Sequence, residues 1–340
     1  MKGFVFGKFY PFHIGHQKMI EFALEKGSIT VLICAEENEK IDGSIRKQWI
    51  KDTFPDNKDL KVKVFKYKES QFPNTSVSDW EVSKKWSAVF KEYFKDEDFL
   101  VTSEEYGEML SVMMDIDHFM FDEDRENIQI SASEIRGNLF NNWNFLPRSV
   151  QEYFALKVVF LGTESTGKTT MTNNVAEYFK ANKVSEAGRD LISDSREFEF
   201  EDLEKVSTEH AQRIEKTDHS KSFLTLIDTD IHITQSYAEF IFGRKLSVPE
   251  EIIEKNKAHL YLYSTKDAEY IQDGTRLEID ERNKLDESHR NLLKQNNIDF
   301  LEISGSWEER EQKAIENIEK LILKKVKFEL YGKKNHQICK

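Results

Sequence analysis

The chain has 340 residues, 33% of them charged and 39% hydrophobic, a composition that excludes a disordered or fibrous protein and suits two ordinary domains. Lys and Arg total 49 against 62 Asp and Glu, and the resulting net charge of -13 disfavours nucleic acid as a partner while leaving small anions such as nucleotides open. Cys34 and Cys339 give neither a disulfide framework nor a CxxC metal pair, and no run of about 18 apolar residues or signal-peptide core is present, so a cytoplasmic protein with no membrane segment is expected.

In chain order, Gly3 to Gly7 reads as a short strand, and Ile14 to Glu25 has apolar residues at helical spacing. SITVLICAEE is a continuous apolar run of the kind buried in a parallel sheet, followed by a helical KQWIKDTF and a strand-like KVKVFKY. An amphipathic helix, WEVSKKWSAVFKEYF, then precedes short strands at DFLVTS and HFMFDE. At Lys157 the pattern restarts with KVVFLG and the helix TTMTNNVAEYFKAN; later strands are FLTLIDTD, HLYLYST and DFLEIS, and the last helix is EEREQKAIENIEKLILKKV. This alternation predicts two α/β domains, each a doubly wound parallel sheet, over 1–155 and 156–326, with a solvated basic tail at 327–340.

The run Gly162, Thr163, Glu164, Ser165, Thr166, Gly167, Lys168, Thr169, Thr170 contains G-x-x-x-x-G-K-T where that motif belongs, after a strand and opening a helix. Glycines let successive backbone N–H groups turn towards phosphate oxygens, Lys168 neutralises the terminal phosphates, and the Thr169 hydroxyl suits magnesium. Asp228 and Asp230 end an apolar strand, where ligands of open parallel sheets sit, and either suits a magnesium ion. Asp273 and Arg276, with Arg282 beyond them, supply a glycine-bearing, guanidinium-rich stretch that fits phosphates as well as a surface ion pair.

In the first domain Gly7, Lys8, Phe9, Tyr10, His13 and His16 lie between a strand and a helix, so that two imidazoles three positions apart face a helix N-terminus that favours anions. Ser131, Ser133 and Arg136, in ISASEIR, place hydroxyls and a guanidinium at another helix start. From residue types alone the histidines fit a phosphate, a zinc ion or a helix cap, and ISASEIR fits a phosphate clamp or an ordinary cap.

HIGH together with ISASEIR resembles the signatures of the nucleotidyltransferase superfamily. In their common order, GKFYPFHIGH, GTESTGKTT, IDTD and the DGTR stretch resemble the NadR-type bifunctional nicotinamide mononucleotide adenylyltransferase/ribosylnicotinamide kinases over roughly residues 2 to 325. Ser103 after a strand, Asp122 with Arg125, Glu186 with Arg189, and the His210-Ala211-Gln212 triplet add to the likeness. Two departures stand out: SEAGR replaces an aromatic-rich WEYGR segment, and Ser133 replaces a threonine. With the first catalytic strand beginning at Gly3, a helix-turn-helix repressor domain is not expected ahead of it.

The resemblance implies a Rossmann-like nucleotidyltransferase followed by a P-loop kinase. ATP would phosphorylate nicotinamide riboside at the second site, with Lys168, Thr169 and magnesium holding the donor, Asp228 or Asp230 as base and metal organiser, and Arg276 and Arg282 closing over the phosphates. Glu186, Arg189 and Asp273 would hold the riboside. At the first site ATP would adenylylate nicotinamide mononucleotide, with His13 and His16 as hydrogen-bond donors and Lys8, Ser131 and Arg136 on the departing pyrophosphate. Arg46 would assist in binding the nucleotide, while Trp80 and Trp86 would stack on the nicotinamide ring unless their helical spacing makes them core. A fused pantetheine-phosphate adenylyltransferase/dephospho-coenzyme A kinase, or a non-catalytic nucleotide sensor, fits the same motifs less fully. Self-association is left open.

Overall fold

A computed structural model describes residues 1–72, 80–122, 128–192, 197–270 and 277–326. The chain divides into two compact units, built around Met1–Tyr153 and Phe154–Lys324.

The first unit alternates β1 (Lys2–Gly7), α1 (Ile14–Leu24), β2 (Ser28–Glu36), α2 (Gly43–Thr53), β3 (Leu60–Tyr67), α3 (Trp80–Tyr93), β4 (Phe99–Thr102), α4 (Tyr106–Met114), β5 (Asp117–Met120), α5 (Ala132–Gly137) and α6 (Arg148–Phe154). Its five strands are parallel, in the order β3-β2-β1-β4-β5. The order reverses at β1, so the loop leaving β1 at Gly7 opens into the crevice where such sheets bind ligands. Seven consecutive residues of β2, Ile29 to Ala35, are buried, which explains why its sequence runs apolar without alternation.

The second unit comprises β6 (Leu156–Leu161), α7 (Lys168–Phe179), β7 (Asn182–Val184), α8 (Gly188–Leu191), α9 (Phe200–Glu215), β8 (Leu224–Asp228), α10 (Ile231–Phe242), α11 (Glu250–Asn256), β9 (Leu260–Ser264), α12 (Ile279–Gln295), β10 (Leu301–Ile303) and α13 (Trp307–Val326). Its sheet is again five-stranded and parallel, ordered β10-β9-β6-β8-β7, with β6 at its centre. Strand β7 has no counterpart in the sequence reading because it is three residues long and buries only Val184. Among the described residues no helix is long and apolar enough to cross a membrane.

Candidate functional site

Two loops, one leaving β1 and one leaving β6, gather most of the chemistry-bearing side chains. In the first, His13 is the N-cap of α1, and its Nδ1 accepts a hydrogen bond from Gly15 N at 3.1 Å, which puts the proton of the neutral ring on Nε2. One helical turn on, His16 lies with its ring centroid 3.7 Å from that of His13 and is flanked by Phe9 and Phe12. Burial, then the neighbouring His13 and the Arg136 guanidinium, hold the His16 imidazole well below its ordinary pKa, so it is neutral at neutral pH. The His16 Nδ1 has no hydrogen-bond partner among the described residues.

Two arginines grip this loop from behind. Arg46, wholly buried, donates from Nη1 to the Lys8 carbonyl at 2.8 Å and pairs through Nη2 with Glu39 at 2.8 Å. Lys8 shares that carboxylate at 2.9 Å. Arg136 donates to the Tyr10 carbonyl at 2.6 Å and to Ser133 Oγ at 2.8 Å. The two guanidinium carbons lie 5.2 and 6.0 Å from the Tyr10 ring centroid. The loop thus joins Lys8, Phe9, Tyr10, His13, His16, Arg46, Ser133 and Arg136. Glu39, which ties Lys8 to Arg46, belongs to no motif and carried no sequence signal.

Other expected residues have different employment. Ser131 is the N-cap of α5 in a reciprocal capping box with Glu134. Ser103 follows β4 and is half-buried, while Asp122 Oδ2 accepts from Ile128 N at 3.1 Å. Trp86 packs in an aromatic cluster with Phe65, Tyr67, Phe72 and Phe90, and Trp80, at the start of the same helix, is 53% exposed. Arg125, Asp273 and Arg276 lie outside the described residues.

The loop after β6 bounds a cavity of about 560 Å³. Gly162 and Gly167 have φ of +136° and +83°, and a Cβ on Gly167 would meet the Trp307 ring at 2.4 Å, so both conformation and space demand glycine there. Ser165 shares the left-handed region. Lys168 Nζ and Thr166 Oγ1 both donate to the Thr163 carbonyl, at 2.9 and 2.8 Å. Thr169 Oγ1 donates to Asp228 Oδ2. Asp228 is 1% exposed, and its Oδ1 has no hydrogen-bond partner among the described residues. Asp230, equally buried, is occupied elsewhere: it caps α10 through His232 N at 3.0 Å and pairs with His232 Nδ1 at 2.6 Å. Of the two carboxylates, only Asp228 faces the phosphate loop.

Beside Lys168 the cavity is polar, with Glu186 and Arg189 joined at 3.2 Å. Burial, together with Asp228 and against the pull of Lys168, raises the Glu186 carboxyl above its ordinary pKa. Beyond them Ile192, Phe198, Leu203, Val206, Ile233 and Tyr237 form an apolar wall. Thr170 also lines the cavity. Glu164 accepts from Tyr237 Oη at 2.9 Å and from Leu277 N at 3.2 Å, and Arg282, 2% exposed, donates from Nε to the Glu164 carbonyl at 3.1 Å. Arg282 is therefore turned to the loop's backbone. Among the described residues no group of three or more His, Cys, Asp or Glu side chains is placed to hold a metal.

His289, which the sequence reading missed, is completely buried with its ring centroid 5.3 Å from Tyr237 and neither nitrogen hydrogen-bonded among the described residues. Burial, with a lesser contribution from Lys168, pushes it down to about 3.

A family described as an AAA domain matches residues 157–310. The chain is 26% identical to the trifunctional NAD biosynthesis/regulator protein NadR of Salmonella typhimurium, over 94% of this chain and 83% of that protein. Among solved structures, a NadR protein in complex with NR superposes with a TM-score of 0.65 at 21% identity, covering 94% of this chain and 96% of that one. A NadR protein in complex with NAD and AMP-PNP does so with a TM-score of 0.62 at 19% identity and the same coverage. The chain is thus similar to NadR proteins across both of its units, and the doubly wound fold of each is shared.

Two predictions follow from the buried groups. An unfolded histidine takes up a proton as pH falls through its ordinary 6.5, whereas His289 stays neutral to about 3, so stability present above pH 6.5 is lost on acidification. At pH 5 the loss is about 2 kcal/mol; thermal unfolding of the full chain at pH 7.5 and 5 should show a smaller acid-induced fall in midpoint for His289→Leu than for the unaltered protein. Asp230→Ala should lower stability by about 1–2 kcal/mol in urea unfolding, through loss of the α10 cap and the His232 partner.

Proposed function

We propose that the chain is a two-site enzyme of NAD formation, with a kinase site in the second unit and an adenylyltransferase site in the first. The observation that carries this reading is the pair of tight loops at the carboxyl ends of β1 and β6, each with its carbonyls held by cationic side chains, on a chain similar to NadR proteins over 94% of its length. The assignment places adenylyl transfer in residues 1–155 and phosphorylation in 156–326.

At the second site the 5′-hydroxyl of nicotinamide riboside attacks the γ-phosphorus of ATP, the bond to the β-phosphate oxygen breaks, and nicotinamide mononucleotide and ADP result. Such a transfer is governed by positioning and by charge on the equatorial oxygens. The loop's N–H groups and Lys168 hold the β- and γ-phosphates, with the helix N-terminus behind them. Asp228, one oxygen on Thr169 and the other without a hydrogen-bond partner among the described residues, is the carboxylate tied to the loop and would take up the hydroxyl proton. Glu186 and Arg189 suit the ribose hydroxyls, and the apolar wall suits the flat pyridinium ring. Arg282 is a positioning residue that fixes the loop through the Glu164 carbonyl.

The Thr169 hydroxyl beside an orphaned, buried carboxylate oxygen is an all-oxygen donor set that fits magnesium, which needs only one or two protein ligands when phosphates supply others. Thr169 and Asp228 would hold it, and when bound it would offset charge on the β- and γ-oxygens.

At the first site a phosphate oxygen of nicotinamide mononucleotide attacks the α-phosphorus of a second ATP, pyrophosphate departs, and NAD forms. The attacking oxygen is already ionised, so no base is required. His13 and the neutral His16 donate hydrogen bonds to oxygens that gain charge in the transition state, and Lys8 and Arg136 balance the departing pyrophosphate. Arg46, sealed behind the loop, acts by holding its shape. We assign the protein to the cytoplasm, whose reducing conditions suit the buried free thiol of Cys34.

Lys168→Ala should abolish riboside phosphorylation while adenylylation of supplied mononucleotide stays within about twofold. His16→Ala should show the reverse, with adenylylation falling about 100-fold or more. Chromatography of products from each substrate decides the matter, and turnover of dephospho-coenzyme A in place of riboside would contradict the reading. In the same assay Asp228→Asn should lose phosphorylation about 100-fold or more, whereas Asp230→Ala should retain most of it at a temperature where it is folded.

A further inference from the structure

Phosphoryl transfer requires donor and acceptor to meet the γ-phosphorus from opposite directions. Around the second site, the residues suited to the acceptor (Glu186, Arg189 and the apolar wall) follow β7 and lie on α9 and α10. Strand β7 is one edge of the sheet, β10 is the other, and the phosphate loop leaves the central β6. The rest of the donor must therefore leave the loop on the β10 side.

The loop after β10 ends in Trp307, the first residue of α13, which lines the same cavity. The residue is 48% exposed although its indole rests on the phosphate loop, where a Cβ on Gly167 would come within 2.4 Å of the ring. An exposed tryptophan of this kind is a flat apolar face left towards solvent beside an anion cradle. It is also held in place. Ser306 and Glu309 cap α13 reciprocally, at 2.8 and 3.2 Å. Arg310, 1% exposed with its guanidinium 5.8 Å from the indole, donates to the carbonyls of Gly305 at 2.9 Å and Thr166 at 3.3 Å. Asn174 on α7 reaches Glu311 on α13 at 3.1 Å.

We propose that Trp307 is the platform on which the purine base of the phosphate donor stacks, and that it sets the preference of the kinase site for a base-bearing donor. The proposal rests on the second unit being a nucleotide-dependent kinase. Aromatic stacking of a base has the size needed to matter, since removing it commonly costs a factor of about ten or more in binding.

Trp307→Leu keeps an apolar side chain against Gly167 and removes the π face. It should raise the KM for ATP in riboside phosphorylation about tenfold, with kcat and the KM for riboside changed by less than about twofold, and Trp307→Phe should restore most of the loss. Adenylylation by the first unit, measured on the same samples, should not change. Independently, 8-azidoadenosine triphosphate irradiated with the full-length protein should label the tryptic fragment spanning residues 295–310. An unchanged KM for ATP, a fall in kcat without a rise in that KM, or labelling of the second unit only outside 295–310 would overturn the proposal. If the unaltered protein phosphorylates no riboside, the parent reading fails, and the photolabel still decides where the base lies.

Discussion

Both candidate sites depend on where the backbone carbonyls of a tight loop go. A loop that is to present its N–H groups to an anion must turn its carbonyls away, and an inward-turned carbonyl without a donor costs about 1–3 kcal/mol. Cationic side chains solve this in both units. Arg46 and Arg136 take the carbonyls of Lys8 and Tyr10, while Lys168, Arg282 and Arg310 take those of Thr163, Glu164 and Thr166. Arg46, Arg282 and Arg310 are almost fully buried, and each gives at least one guanidinium donor to a loop carbonyl. Charge placed behind each loop also favours an anion in front of it.

The same device serves two different electrostatic tasks. Around His16 the cations hold the loop and Glu39 as well as facing an anion, and the His16 imidazole is kept neutral, so it acts as a dipole on a charge that redistributes. In the second unit an ammonium group stands within the cradle itself, with Asp228 and a carboxyl of raised pKa, Glu186, nearby. The first arrangement suits expulsion of pyrophosphate from an α-phosphorus. The second suits neutralisation of a terminal phosphate before it moves.

Much of this was legible in the amino-acid order because glycine, lysine and hydroxyl residues at fixed offsets after an apolar run have few other uses. The strand and helix alternation was legible for the same reason that parallel strands such as β2 and β8 are buried on both faces. What the sequence could not separate was Asp228 from Asp230. The two carboxylates are two residues apart at a strand end, and only the turn at Thr229, with φ of +72°, sends one towards Thr169 and the other back to cap α10. Arg46 read as a nucleotide-binding residue and Arg282 as one closing over phosphates because sequence shows the charge and hides its burial. His289 and Glu39 carry no motif, and their place depends on how α12 and the chain after β2 pack.

The central claim is that one chain uses ATP at two different phosphorus atoms in separate cradles. Supplying nicotinamide riboside with ATP labelled at either the α- or the γ-phosphorus tests this directly. The account predicts that the γ-label enters nicotinamide mononucleotide and persists in NAD, and that the α-label enters NAD and never the mononucleotide. NAD carrying only one of the two labels, or α-label in the mononucleotide, would contradict it.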